Sequence, residues 1–181
     1  SVVHEFARGW KNDPATLPWL KARAQDDAHA AVRRSVVREV ARGWKGDPGT
    51  LQWLKARAQD GTHADVRQSA IHELARGWKN DPDTLQILKI RVQNDEDADV
   101  RQSAVYEVAR GWKNDPDTLQ ILKVRAQDDE NAEVRRSAVQ EIARGWKNDP
   151  DTLSWLKGRA QDDEHAAVRQ SAAQEVARLE E

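Results

Sequence analysis

The sequence predicts an all-α fold, a right-handed αα-solenoid of 34-residue helical hairpins that runs through residues 1–181 as a single domain. Three observations carry this. The block A-R-G-W closes one copy after another at Trp10, Trp44, Trp78, Trp112 and Trp146, and a sixth copy starts at Val176-Ala177-Arg178 and breaks off. Self-similarity at such a period is the mark of repeat architectures, in which neighbouring units bury each other. Each copy also holds two apolar stripes at helical spacing, divided by a D-P step. Finally, 33% of the residues are charged and no apolar run approaches the ~18 residues of a membrane span.

Four full copies run 31–64, 65–98, 99–132 and 133–166; residues 1–30 form a copy lacking its first positions, and 167–181 open another. Copy 99–132 shows the elements in order. Asp99 precedes Val100, Ala104, Val105 and Val108, a stripe that defines the first helix, and Gly111 stands where a residue just past a helix is expected. In Trp112-Lys113-Asn114-Asp115-Pro116, Asp115 is a natural N-cap and Pro116 a natural first helical residue, with Asp117 placed to suit the helix dipole. The second helix carries Leu119, Leu122 and Ala126 on one face and stops in Asp128-Asp129-Glu130-Asn131, a polar turn. Neither helix can bury its stripe alone.

The absence of cysteine excludes disulfides, thiolate metal sites and thiol chemistry. Together with the lack of a signal peptide, it fits the cytoplasm. The missing starting Met and the near-identity of copies 65–98 and 99–132 fit a fragment of a longer array, or an engineered or duplicated one.

The string V-R-Q-S-A-V-x-E-V-A-R at Val100–Arg110, then Asp115-Pro116, then L-x-x-L at Leu119–Leu122, resembles the HEAT-like repeat family of bacterial type. The resemblance extends over the whole chain and implies a scaffold whose second helices line a concave surface. The W-K-N step before D-P departs from the shorter glycine-containing link usual in that family. Tetratricopeptide repeats share the period but place Pro at the end of the second helix, whereas Pro14, Pro48, Pro82, Pro116 and Pro150 begin it here. The A-R-G-W-K-x-D-P variant also resembles the repeat sensor regions of NACHT-type signal-transducing NTPases. No Walker-type G-x-x-x-x-G-K-[ST] occurs, so the chain carries no nucleotide switch of its own.

Residues repeated in every copy read first as structural. Trp10, Trp44, Trp78, Trp112 and Trp146 are expected to plug the turn of each hairpin, with an aromatic ladder for a ligand as the other reading. Arg110 and Asp115 are expected to pair along the loop edge. On the second helix, a wheel with Leu119 inward turns Ile121 and Val124 outward. The resulting line, Trp19, Trp53, Ile87, Ile121 and Trp155, is the candidate concave binding face. Bulk is traded along it: Ala22, Ala56 and Gly158 accompany Trp, whereas Ile90 and Val124 accompany Ile. Shared packing between neighbouring helices and a ligand-contacting groove both account for that trade. Arg34, Arg38, Gln68, His72, Gln102, Tyr106, Arg136 and Gln140 vary on the first helix and are expected on the solvated convex side.

His29, His63 and His165 recur between copies, but equivalent residues about 8–10 Å apart cannot share a zinc ion held at about 2.0–2.1 Å. No metal and no cofactor is expected. Copy 31–64 has seven Lys/Arg against three Asp/Glu, and copy 99–132 five against seven. A pI near 6.2 still lacks the positive stripe that nucleic acid needs, so a nucleic-acid partner or a base-repair role is a remote reading. No constellation breaks the repeat symmetry as catalysis would require. The functional expectation is therefore a non-enzymatic scaffold for a protein or peptide, with a purely structural array as the alternative. Val2, Val3 and Phe6 at one end, and Val168, Ala172 and Val176 at the other, are expected to face neighbours and to allow end-to-end self-association.

Overall fold

The computed structural model describes residues 2–181, the side chain of Asp60 excepted, and among them there are eleven α-helices. The helices are α1 (Val2–Gly9), α2 (Thr16–Asp26), α3 (Ala30–Gly43), α4 (Pro48–Asp60), α5 (Ala64–Gly77) and α6 (Pro82–Asn94), followed by α7 (Ala98–Gly111), α8 (Thr118–Asp128), α9 (Ala132–Gly145), α10 (Pro150–Asp162) and α11 (Ala166–Glu180). They form two compact units, Ser1–Ile87 and Leu88–Glu181. In the first, α1, α3 and α5 stack in order while α2 packs on α3 and α4 on α5. In the second, α7, α9 and α11 stack likewise, with α8 on α9 and α10 on α11. The chain is an α-solenoid of sequentially packed helices.

The stripes account for this packing. Val36, Val37 and Val40 on α3, and Val100, Ala104, Val105 and Val108 on α7, are fully buried. Each such aliphatic residue contributes about 1.5–3 kcal/mol relative to leaving it exposed. Even-numbered helices bury a narrower line at four-residue spacing: Thr50, Leu54 and Ala58 on α4, and Thr118, Leu122 and Ala126 on α8. Thr118 thus takes the inward place foreseen for Leu119, which is half-buried. An even helix packs more extensively on the odd helix that follows it than on the one before, α4 on α5 more than on α3. The tight hairpin accordingly spans the boundary between the copies as counted from the sequence.

The caps follow sequence logic with two corrections. Asp47 and Asp149 cap α4 and α10, accepting from the Gly49 and Asp151 N–H groups, with Pro48 and Pro150 at the first helical position. In α8 the helix begins at Thr118, two residues past Pro116, although Asp115 still accepts from the Asp117 N–H at 3.1 Å. Gly111 is not past its helix either: it closes α7, and Trp112 is the C-cap, at φ −132° and ψ 40°. No glycine among the described residues takes a positive φ, so the helix ends without a left-handed residue.

The termini differ from expectation at one end. Val2 is 87% exposed, but Val168 and Ala172 are fully buried against the rest of the second unit. The outward apolar positions of α11 are Ala173 and Ala177. No helix among the described residues is long and apolar enough to cross a membrane.

Candidate functional site

The loop tryptophans build the turn. Trp44, Trp78, Trp112 and Trp146 are half-buried C-caps of α3, α5, α7 and α9. In each, the Trp N–H donates to the carbonyl four residues back, as from Trp112 to Val108 at 3.0 Å. The Trp carbonyl then accepts from the Asp N–H that starts the next helix, as from Asp115 at 3.0 Å. Two orphaned helix-end groups are satisfied by one residue's backbone, while the indole covers the turn. In the first unit Lys45 adds a cation 5.5 Å from the Trp78 ring centroid. Trp10 is 59% exposed.

The second set of aromatic and aliphatic positions lies on the even helices. Trp19 is 43% exposed; its ring lies 4.6 Å from that of Phe6, and the Arg23 guanidinium is 5.2 Å from it. Trp53, Ile121 and Trp155 are half-buried. Ile87 is only 3% exposed and belongs to the packed interior. The small partners of the Trp residues do not fill a common packing space. A Cβ added at Gly158 meets nothing within 4 Å, and Ile90 is itself 43% exposed.

Polar ladders between helices far apart in sequence are what sequence reasoning missed. Arg101 forks onto Asp129 with two bonds of 2.9 Å and donates to the Asp95 carbonyl at 2.8 Å. Arg135 repeats this on Asp163, at 3.1 and 3.2 Å, and donates to the Asp129 carbonyl at 2.7 Å. These side chains are nearly fully buried, the setting in which a bidentate guanidinium outperforms an ammonium. In the first unit the equivalent of Asp129 is Gly61, and Arg33 forks onto Asp65 instead, at 2.6 and 3.1 Å. A second ladder joins Arg42 to Glu73 and Arg110 to Glu141. Arg110 therefore does not pair with Asp115 as expected; it also donates to the Tyr106 hydroxyl and covers that ring.

Asp115 instead meets Lys89 of the preceding copy, which bridges it at 2.6 Å and Asp117 at 3.1 Å. Lys55 bridges Asp81 and Asp83 in the same way, at 2.7 and 2.8 Å. Burial opposes the charge on Lys55 and Lys89, but their hydrogen bonds to the paired carboxylates outweigh it and raise both pKa values. Burial likewise opposes the charge on Asp81 and Asp115, and the lysine hydrogen bonds prevail and lower theirs. Both lysines precede a copy that carries Ile on its even helix. Where the next copy carries Trp, the lysine sits over the indole: Lys21 is 6.0 Å from the Trp53 centroid and Lys123 is 5.9 Å from that of Trp155. The lysine's neighbour thus varies with the Trp/Ile alternation, although Lys21 also faces Gly49 where Lys55 and Lys89 find a second carboxylate. The fixed spacing of L-K-x-R to the following D-P-D was the available signal.

Tyr106, Arg38, Arg34 and Gln140 are exposed, and Gln68, His72, Gln102 and Arg136 half-buried. His29, His63 and His165 take the residue before α3, α5 and α11 without capping through their side chains, where Asp97 and Asn131 do cap α7 and α9. No group of three or more His, Asp or Glu among the described residues could hold a metal ion.

A family model described as HEAT repeats matches residues 17–109 and 85–177, which together take in most of the chain, and the chain belongs to that family. Comparison with curated proteins and with solved structures returned no match. Both matched spans begin within an even helix and end within an odd one. The even-helix positions are described by their exposure.

Proposed function

We propose that the array is a non-catalytic, cytoplasmic scaffold that holds a protein or peptide partner on the even-helix surface of its units, through Trp19 and Trp53 in the first unit and Ile121 and Trp155 in the second, each unit being considered by itself. The observation that supports this is the exposure of Trp19 beside Arg23, together with indoles at Trp53 and Trp155 that keep half-open surfaces next to Lys21 and Lys123. Apolar anchors ringed by cations suit a peptide whose own apolar residues are flanked by carboxylates. Ile87, being buried, takes no part in this surface. A sensor role in a nucleotide-switched protein rests on the A-R-G-W-K-x-D-P motif alone.

The test is selection of peptides from a random library, followed by titration against the wild-type chain and against a Trp53→Ala/Trp155→Ala variant of unchanged helical circular dichroism. Loss of affinity by at least about tenfold, or 1.4 kcal/mol, is expected. Peptides that bind both proteins equally well would remove this face from consideration.

A second reading is a spacer without ligand. The repetition of one lysine bridge, Lys55 to Asp81 and Asp83 and then Lys89 to Asp115 and Asp117, favours it, because these copies reproduce an internal joint. A library that returns no peptide above background would favour this reading.

A further inference from the structure

The odd helices repeat their interior but not their outer face. On α3, Arg34, Arg38 and Arg42 are all exposed and stand four residues apart. Residues at that spacing share a helix face. A rise of about 1.5 Å per residue sets them about 6 Å apart along the axis. None of α5, α7, α9 and α11 carries arginine at all three positions. In α11 the first two are Gln170 and Gln174, and in α9 the second is Gln140. The arginine row is therefore a departure from the repeat, not a part of the joint that every copy shares.

The nearby carboxylates are committed elsewhere. Asp65 takes the Arg33 fork at 2.6 and 3.1 Å, and Glu39 faces His4 at 3.0 Å. Glu73 pairs with Arg42, whose side chain is still 50% exposed. The first turn of α3 holds no acid: Ala31 stands where α9 has Glu133, which pairs with Arg136. No acid among the described residues pairs with Arg34 or Arg38. Exposed cations continue the patch, with Lys45 two residues beyond the helix and Arg76 at the position of Arg42 on α5, which stacks on α3. The first unit holds 14 Lys/Arg against 11 Asp/Glu, and the second holds 15 against 20.

We propose that the outer face of α3 is a second docking surface, which takes a short acidic helix of a partner protein with Glu or Asp at every fourth residue. Such a helix repeats the same step of about 6 Å, so three carboxylates stay in register with Arg34, Arg38 and Arg42. Each guanidinium offers a planar fork that matches a carboxylate with two parallel bonds. A nucleic-acid duplex is a poorer match. It draws its affinity from many phosphate contacts, more than one helix offers, and it is repelled by the negative excess of the second unit. The surface uses an odd helix and none of the Trp53 or Trp155 positions, so it stands or falls independently of the even-helix reading.

The test titrates the 181-residue chain with a helical peptide bearing Glu at every fourth position, and with a peptide of the same composition whose glutamates are shuffled. Saturable binding of the first is expected at about 20 mM salt, weakening at about 150 mM as the charges are screened. Arg34→Gln/Arg38→Gln gives α3 the two glutamines that α11 already carries, so the helix is kept, and affinity should fall by about tenfold or more. Arg136→Gln/Lys147→Gln removes the same charge from the second unit and should leave affinity unchanged. The reciprocal variant Asp99→Ala/Gln102→Arg/Tyr106→Arg writes the α3 face onto α7 and should raise the stoichiometry from one peptide to two. Absence of saturation, equal losses in the two double variants, or equal binding of the shuffled peptide overturns the proposal. Tighter binding of duplex DNA or of phosphatidylserine vesicles through Arg34 and Arg38 overturns it as well, since the face would then serve a polyanion or a lipid surface.

Discussion

Lys123 lies over the indole of Trp155, its Nζ 5.9 Å from the ring centroid, while one copy earlier Lys89 bridges Asp115 and Asp117. The two lysines hold the same position in their copies, and Asp149 and Asp151 repeat the carboxylate pair beside Lys123. What differs is the residue on the next even helix, Trp155 against Ile121. A cation over an indole gains about 0.5–2 kcal/mol, enough for an indole at this position to compete with the carboxylate pair for the lysine.

Replacing Trp155 with Ile should send Lys123 to Asp149 and Asp151. A double-mutant cycle of Lys123→Met with Asp151→Asn reads this directly. Coupling should be within about 0.3 kcal/mol of zero in the parent and about 1 kcal/mol in the Trp155→Ile background. Equal coupling in both backgrounds would show that the indole does not control the lysine.

Arg101 and Asp129 are 5% and 3% exposed. Arg101→Ala leaves a buried carboxylate without its fork and should cost about 3–5 kcal/mol. Arg101→Lys keeps the charge but not the two parallel bonds and should recover less than half of that. Urea unfolding, with hydrogen exchange in α7 and α9 to catch partial opening of the array, measures both. A loss below about 1 kcal/mol would mean that the ladder merely fills space.

Stability should fall on the acid side by a predictable route. Asp81 and Asp115 have folded pKa values below the ordinary one. Their contribution is complete above the unfolded value near about 3.9 and is lost as pH drops through the folded value. Lys55 and Lys89 are raised, so their contribution is complete below the unfolded value near about 10.4 and disappears only as pH rises through the higher folded one. Urea midpoints should therefore stay nearly flat between about pH 5 and pH 9 and decline below about pH 4. Asp115→Asn should lower the neutral plateau and make the acid decline shallower; an unchanged acid slope would assign that decline to other carboxylates.

Loop tryptophans should divide by burial. Trp146 is a half-buried cap, and Trp146→Ala should cost about 2 kcal/mol, below the 3–5 kcal/mol of a fully buried aromatic. Trp10, 59% exposed, should cost less than about 0.5 kcal/mol. Thermal melts of the two variants distinguish them, and equal costs would contradict the account of the turn.

Local chemistry made the helices legible: Asp47-Pro48 and Asp149-Pro150 start them in place, and the valine stripe of α3 is the buried one. Failures came where the outcome depends on residues far along the chain. Asp129 reads as a turn residue until Arg101, 28 residues away, is brought to it. The sequence offers Arg110 the loop acid Asp115, although stacking presents Glu141, 31 residues on. Ile87 and Ile121 look alike on a helical wheel, yet one is buried and the other half-open, a difference set by neighbours that a wheel does not contain.

Each ladder joins residues at a fixed offset shorter than one period. Excising or inserting a whole 34-residue copy therefore restores the same donors to the same acceptors across the seam. Copies 65–98 and 99–132 are near-identical, so gaining or losing one whole copy keeps these offsets. The number of copies can thus change while the joint between helices stays the same.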